Sequence, residues 1–178
     1  EFNDIAALET ALSARDVAVV LAEPAMTNIG IIHPDPGYHE ALRALTRKYG
    51  TYLIIDETHT ICAGPGGYTA SYGLEPDFIT LGKPLAGGVP AAIYGFTEEV
   101  SKAFSAKLAM DDADVGGIGG TLAGNALSIA AMKATLQNVL TDEFYAKATT
   151  LQEQFTAGVE GVIAEFKLPW IVKRLGNR

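Results

Sequence analysis

Apolar residues open the chain at helical spacing: Ile5, Leu8 and Leu12 share one face behind Asp4 as a cap, predicting a helix over 5–14. Residues 17–22 are an unbroken apolar run, the pattern of a strand buried on both faces. Asp35 and Pro36 then mark a helix start and Gly50 its stop, with Tyr38, Leu42, Leu45 and Tyr49 on one stripe. Further strand-like runs cover 52–55 and 77–81, and a less regular one, interrupted by Gly95, covers 90–96. Helices are expected over 125–140 and from Thr141 to about 166. On the second, Phe144, Leu151, Phe155, Val159 and Val162 form a stripe expected to pack in a core. Residues 170–175 read as a last strand, with Trp170 in a core or an interface.

Strand, helix, strand and then further short strands predict an open, largely parallel α/β sheet. Three runs in succession end on a charged residue: Glu23, Asp56 and Lys83. Ligands of such sheets sit outside the carboxyl ends of the strands, so these groups are expected to converge on one edge. The alternative is that each charge only marks where its strand meets water. A domain boundary is expected near residue 140. The chain has no initiating Met, and nothing follows the last run for it to pair with, so a fragment of a longer protein is expected. A complete domain with engineered ends is the alternative.

With 48% hydrophobic and 19% charged residues, the 178-residue chain is globular in composition, not disordered. Its net charge of −8 argues against a general binder of nucleic acid or anionic membranes. A single cysteine, Cys62, fits a reducing, cytoplasmic setting and reads as a small buried hydrophobe. No signal peptide is seen. The uncharged run 115–132 is too rich in glycine and polar residues for a membrane span and is expected to be a buried loop leading into a helix. Thirteen of the 19 glycines fall between Gly64 and Gly124, marking loops shaped around a ligand or a series of tight turns.

A lysine at the end of a buried strand is expected to be partly desolvated, which favours the neutral, nucleophilic amine. Lys83 is such a residue, and the adjacent Gly82, Gly87 and Gly88 leave room for a flat partner. Asp56, on a neighbouring strand end, would stay ionised beside a protonated ring nitrogen. A Schiff-base lysine with an acidic partner for a pyridinium nitrogen is what pyridoxal phosphate requires. On spacing alone, an Asp56–Lys83 salt bridge at the rim is the alternative. Other motifs are weak. Residues 117–122 have Leu122 where a dinucleotide fingerprint needs its third glycine, and no Gly-Lys-Ser/Thr phosphate loop occurs. His33, Asp56 and His59 are a remote option for a two-histidine, one-carboxylate metal site. His33 reads rather as a loop residue and His39 as an exposed helix position.

A series of sequence words, in order, changes the balance. Glu23-Pro24 is followed by Gly30; Asp56-Glu57-Thr58-His59-Thr60 by Gly73-Leu74-Glu75-Pro76-Asp77; then come Leu81-Gly82-Lys83, Gly87-Gly88-Val89-Pro90 and Gly119-Gly120-Thr121-Leu122-Ala123-Gly124-Asn125. Together they resemble the class III aminotransferases, pyridoxal-phosphate enzymes of fold type I that include ω-amino-acid and amine transaminases and glutamate-1-semialdehyde aminomutase. The resemblance implies a mostly parallel sheet, with 1–140 as the central part of the large cofactor-binding domain and 141–178 as the start of a smaller carboxyl-terminal α+β domain. It implies that Lys83 holds the cofactor and later moves the proton, and that Asp56 pairs with the ring nitrogen. Thr58 would pack on the ring face, and His59 would sit beside the ring hydroxyl. Thr121, helped by the Gly120 N–H, would bind the phosphate of the partner subunit in a homodimer. Glu23 would orient the loops. The implied reaction is transfer of an amino group from an amine or amino acid to a keto acid or aldehyde. The alternatives are an intramolecular aminomutase or a non-catalytic α/β binding or assembly fragment.

The chain departs from the family pattern after Asp56, where Thr-Gly-Phe and then Arg are common. Here Thr60-Ile61-Cys62-Ala63-Gly64-Pro65-Gly66-Gly67 stands, without the arginine. The family's phosphate cup and ring-stacking aromatic residue lie upstream of Glu1, so the 178 residues alone are expected to bind the cofactor weakly and not to turn over.

Overall fold

The computed structural model describes residues 1–108 and 119–178. Helix α1 (Ile5–Leu12) begins at Asp4, whose carboxylate accepts the Ala7 N–H at 2.8 Å. Strand β1 (Val19–Ala22), helix α2 (Tyr38–Tyr49) and strand β2 (Tyr52–Asp56) follow. The cap of α2 is not Asp35 but Gly37, whose φ of 83° lies outside the helical region and separates the Asp35-Pro36 turn from the helix. Gly50, at φ 72°, closes α2 as expected.

After β2 come a 3₁₀ turn (Thr60–Ala63), the short helix α3 (Gly67–Tyr72), strand β3 (Phe78–Leu81) and a second 3₁₀ turn (Lys83–Ala86). Strand β4 (Ile93–Phe96) and helices α4 (Glu98–Leu108), α5 (Ala126–Asn138) and α6 (Asp142–Glu165) complete the order. Asn125 caps α5 through the Ser128 N–H at 3.0 Å, and Thr141 caps α6 through the Phe144 N–H at 3.2 Å. Helices α3 and α4 were not expected: α3 is six residues with little apolar periodicity, whereas α4 does carry Val100, Phe104 and Leu108 at helical spacing and was legible in the sequence.

The sheet has the order β1-β2-β3-β4. The first three strands are parallel, with Ala22 beside Ile55 and Asp56 beside Thr80, and β4 runs antiparallel to β3. Helices α1 and α2 cover one face, where Tyr38, Leu42, Leu53 and Ile55 form a buried cluster with Ile5, Leu8 and Val20 against it. The other face is open among the described residues: Leu21 is 65% exposed, and Val19 and Tyr52 are also exposed. The expectation of a β1 buried on both faces is therefore not met, since both covering helices lie on one side.

Three further expectations are corrected. The α6 stripe is not packed in a core. Phe144, Leu151, Phe155 and Val162 are exposed, and the one buried residue of α6 is Tyr145, whose hydroxyl donates to the Ile61 carbonyl at 3.0 Å. Residues 170–175 form no strand, since among the described residues no sheet edge lies alongside to pair with, and Trp170 is 65% exposed. Instead Leu175 is buried, and the Asn177 N–H reaches the Cys62 carbonyl at 3.2 Å. In the uncharged run, 115–118 lie outside the described residues, and 119–127 are an exposed turn and helix start, not a buried loop. No helix of the described residues is long and apolar enough to cross a membrane.

Candidate active site

Asp56 ends β2 in register beside Thr80 of β3. Paired residues of parallel strands face the same side of a sheet, which brings the Thr80 hydroxyl to the Asp56 carboxylate. The Thr58 N–H donates to Asp56 Oδ1 at 2.9 Å. Burial pushes the carboxyl up. Donors on Thr58, the Thr80 hydroxyl and the nearby Lys83 charge outweigh it, holding Asp56 below the usual carboxylate range.

Lys83 stands two residues beyond β3, at the start of the second 3₁₀ turn. Its φ of 48° puts a non-glycine residue in the left-handed region, a conformation that costs energy and concentrates at functional sites. The turn is braced from below. Leu85 and Ala86 are buried, α5 packs against the turn, and the Ser128 hydroxyl donates to the Pro90 carbonyl at 3.1 Å. Thr58 lies over Gly82, where a Cβ would meet Thr58 Cγ2 at 3.6 Å. The expected partial desolvation of Lys83 is not seen: its side chain is exposed, because the turn lifts it clear of the strand end.

Glu57 points the other way. It is 0% exposed and accepts hydrogen bonds from the Thr60 hydroxyl at 2.5 Å, from the Tyr68 N–H at 3.1 Å and from the Thr69 N–H. It thereby ties the end of β2 to the start of α3. Gly67 is required there, since a Cβ would sit 2.7 Å from Glu57 Oε2 and φ is 72°.

His59 continues the same segment. Its Nδ1 lies 2.6 Å from the Thr27 hydroxyl, which also contacts Glu23 Oε2. Arg178 donates to the Thr27 carbonyl at 2.9 Å. Burial pushes the imidazole pKa down, aided by the charges of Arg178 and Lys83, while Glu23 and Asp56 oppose the shift. Glu23, Asp56, Thr58, His59 and Lys83 are thus gathered at one edge of the sheet, as the strand ends predict. Gly120 and Thr121 are not. They lie in an exposed turn before α5, and among the described residues neither bonds to Asp56, His59 or Lys83.

Thr27, Thr80, Glu57 and Arg178 escaped the sequence reading. Thr80 was readable from strand register once β2 and β3 were paired. Thr27 and Arg178 had no local signal, because 151 residues of chain separate them. His39 is not an exposed helix position: it is half-buried, with Nε2 2.8 Å from the Pro24 carbonyl, and burial lowers its pKa. Cys62 is half-buried with Sγ 3.6 Å from the Leu175 carbonyl, and burial pushes its thiol up. Among the described residues no three His, Cys, Asp or Glu side chains gather as metal ligands. A cavity of about 270 Å³ lined by Leu42, Arg43, Leu53, Ile55 and Tyr72 includes neither Asp56 nor Lys83.

Ion pairs among the described residues join Arg43 to Asp77, Arg47 to Glu75, Lys48 to Glu9 and Lys102 to Glu98; Asp56 and Lys83 do not form the rim salt bridge. An ionised carboxylate with no ion-pair partner among the described residues, an exposed amine and the neighbouring Gly82 suit a flat ring with a protonated nitrogen at one end and a carbonyl at the other. These residues fit pyridoxal phosphate.

The family model for aminotransferase class III matches residues 2–177. A glutamate-1-semialdehyde aminomutase from Pseudomonas aeruginosa PAO1, solved in complex with PMP, is 48% identical at a TM-score of 0.93, covering 99% of this chain and 40% of that one. Glutamate-1-semialdehyde 2,1-aminomutase of Neisseria meningitidis serogroup B is 36% identical over 163 residues, 89% of this chain and 36% of the relative. An ω-transaminase from Sphaerobacter thermophilus is 32% identical at a TM-score of 0.80, covering 98% of this chain and 40% of that one. The chain therefore spans well under half the length of these relatives.

Proposed function

The chain belongs to the class III aminotransferase family, and from that premise we propose that it is the lysine-bearing part of a pyridoxal-phosphate enzyme that moves an amino group. The observation that carries the reading is Asp56, held ionised by hydrogen-bond donors and the field of Lys83, with no ion-pair partner among the described residues, at the same sheet edge as the exposed Lys83. When bound, pyridoxal phosphate supplies a carbonyl that condenses with amines and a ring that draws electrons from the carbon next to the nitrogen.

The protein's own residues do the rest. Lys83 Nζ would hold the cofactor's carbonyl end and, once released by the incoming amine, would carry a proton to and from the substrate carbon. Asp56 would accept from the ring N–H and keep that nitrogen protonated. Thr58 packs at the ring face and His59 beside it. Gly120 and Thr121, free of bonds to this site, bind the cofactor phosphate of a partner subunit in a homodimer. Residues 1–140 belong to the large domain and 141–178 open the small one, in a cytoplasmic enzyme acting on small amines and keto acids.

The amino group passes either between two molecules, as an aminotransferase, or within one, as an aminomutase. The names of the relatives at 48% and 36% identity favour the second. Borohydride reduction of the intact protein, followed by peptide mass mapping, is expected to place a pyridoxyl group on Lys83 and to place none in Lys83→Ala. A wild-type protein without that label overturns the assignment. Consumption of glutamate-1-semialdehyde with no second carbonyl substrate identifies the aminomutase; dependence on an acceptor, with ping-pong kinetics, identifies the aminotransferase.

A further inference from the structure

One polar cluster at the site is more ordered than the binding of a ligand by Asp56 and Lys83 requires. The Thr27 side chain is buried, and its oxygen stands between Glu23 Oε2 and His59 Nδ1, at 2.6 Å from the latter. The three residues come from separate places: Glu23 follows β1, Thr27 lies in the loop after it, and His59 lies beyond β2. Arg178 fixes that loop by donating to the Thr27 carbonyl.

Proton counting settles the direction of both bonds. An ionised carboxylate can only accept, and a threonine hydroxyl has one proton to donate. Thr27 therefore donates to Glu23. The contact to His59 then needs a proton on Nδ1, and Thr27 accepts it. In the neutral ring this leaves Nε2 without a proton, and among the described residues Nε2 makes no hydrogen bond. The charged groups facing the ring are Glu23, Asp56, Lys83 and Arg178.

We propose that Glu23 and Thr27 are positioning residues that lock His59 in the Nδ1–H tautomer, so that Nε2 is a standing hydrogen-bond acceptor for a donor group of the ligand held between Asp56 and Lys83. The lock itself stands on the hydrogen bonds alone; only the identity of the ligand rests on the cofactor reading above. An alternating tautomer would turn the same nitrogen into a donor half the time and repel the ligand proton. A residue that can only accept in its neutral form selects a hydroxyl or ammonium donor instead.

Long-range ¹H–¹⁵N spectra of the intact, histidine-labelled protein, recorded without cofactor, test the lock directly. One Nδ1–H tautomer of neutral His59 is expected in the wild type and in Thr27→Ser. In Thr27→Val, which removes the hydroxyl and keeps the shape, a mixed or Nε2–H tautomer is expected. An Nε2–H or mixed signal in the wild type, or an unchanged signal in Thr27→Val, overturns the proposal. Pyridoxal phosphate is then added. The His59 Nε2 resonance is expected to shift, and Thr27→Val is expected to bind about threefold to tenfold more weakly, the loss of one neutral hydrogen bond. If pyridoxal phosphate binds with no change at Nε2, the acceptor role is wrong. If the lock is seen and no cofactor binds, the cofactor reading fails while the lock stands.

Discussion

Asp77, just before β3, and Asp56, at the end of β2, lie at opposite ends of the parallel pair β2–β3. Both carboxylates are partly buried, and both are held below the usual range although burial pushes each of them up. The means differ. Asp77 receives two Arg43 nitrogens at 2.8 Å each and the Leu53 N–H at 2.7 Å, so a full protein cation neutralises it. Asp56 receives dipolar donors from Thr58 and Thr80 and only the field of Lys83. One carboxylate is saturated and clamps α2 to the sheet. The other is ionised with its counter-charge still to come, which is the condition of a binding group. The neighbour pair Asp56 and Glu57 repeats the lesson within two residues: the second is sealed by three donors, while the first stays open.

Exchanging each carboxylate for an amide separates the two kinds of site. Asp56→Asn is expected to lower amino-group transfer by the intact enzyme about 100- to 1,000-fold, the range for losing one aligned electrostatic contact in a transition state, with unfolding free energy changed by less than about 1 kcal/mol. Asp77→Asn leaves Arg43 charged and unpaired, and is expected to cost about 3 kcal/mol in urea denaturation, with unchanged activity per folded molecule. If the two variants lose stability equally, the contrast between an open and a saturated carboxylate collapses.

Acid sharpens the same contrast. A carboxylate whose pKa is lowered by folding adds stability that is present above its unfolded value and lost as pH falls through the lower folded one. Both aspartates are lowered, so urea midpoints are expected to fall as pH drops below about 4, the unfolded aspartate value. Asp77→Asn is expected to flatten that acid limb more than Asp56→Asn does. The smallest effect belongs to Lys83. Its φ of 48° is easier for glycine, so Lys83→Gly is expected to raise the stability of the cofactor-free protein by about 1 kcal/mol relative to Lys83→Ala, seen as a higher melting temperature. An equal melting temperature would show that the turn is not strained.

Much of the site was legible in local words. Asp56, Lys83 and Glu23 were readable as strand ends, because a buried apolar run that stops at a charge marks where a strand leaves the sheet. The caps at Asp4 and Thr141 were readable because a helix start needs a side-chain acceptor within three residues, whereas Asn125, read as the first residue of a helix, is its cap. The exposed α6 stripe and the unpaired run 170–175 were misread for one reason: hydrophobic periodicity reports which face can be buried, not what is available to bury it.

What the 178 residues determined by themselves is where most helices and strands lie and the chemical kinds of group at the strand ends, since these follow from interactions reaching only a few positions along the chain. Tertiary structure alone decided which carboxylate keeps an open valence, that Lys83 stands clear of the sheet, and that Thr27 joins Glu23 to His59. Those outcomes depend on distances between segments that only the folded backbone brings together, and a charge or a hydroxyl has no fixed role until its neighbours in space have claimed or spared its protons.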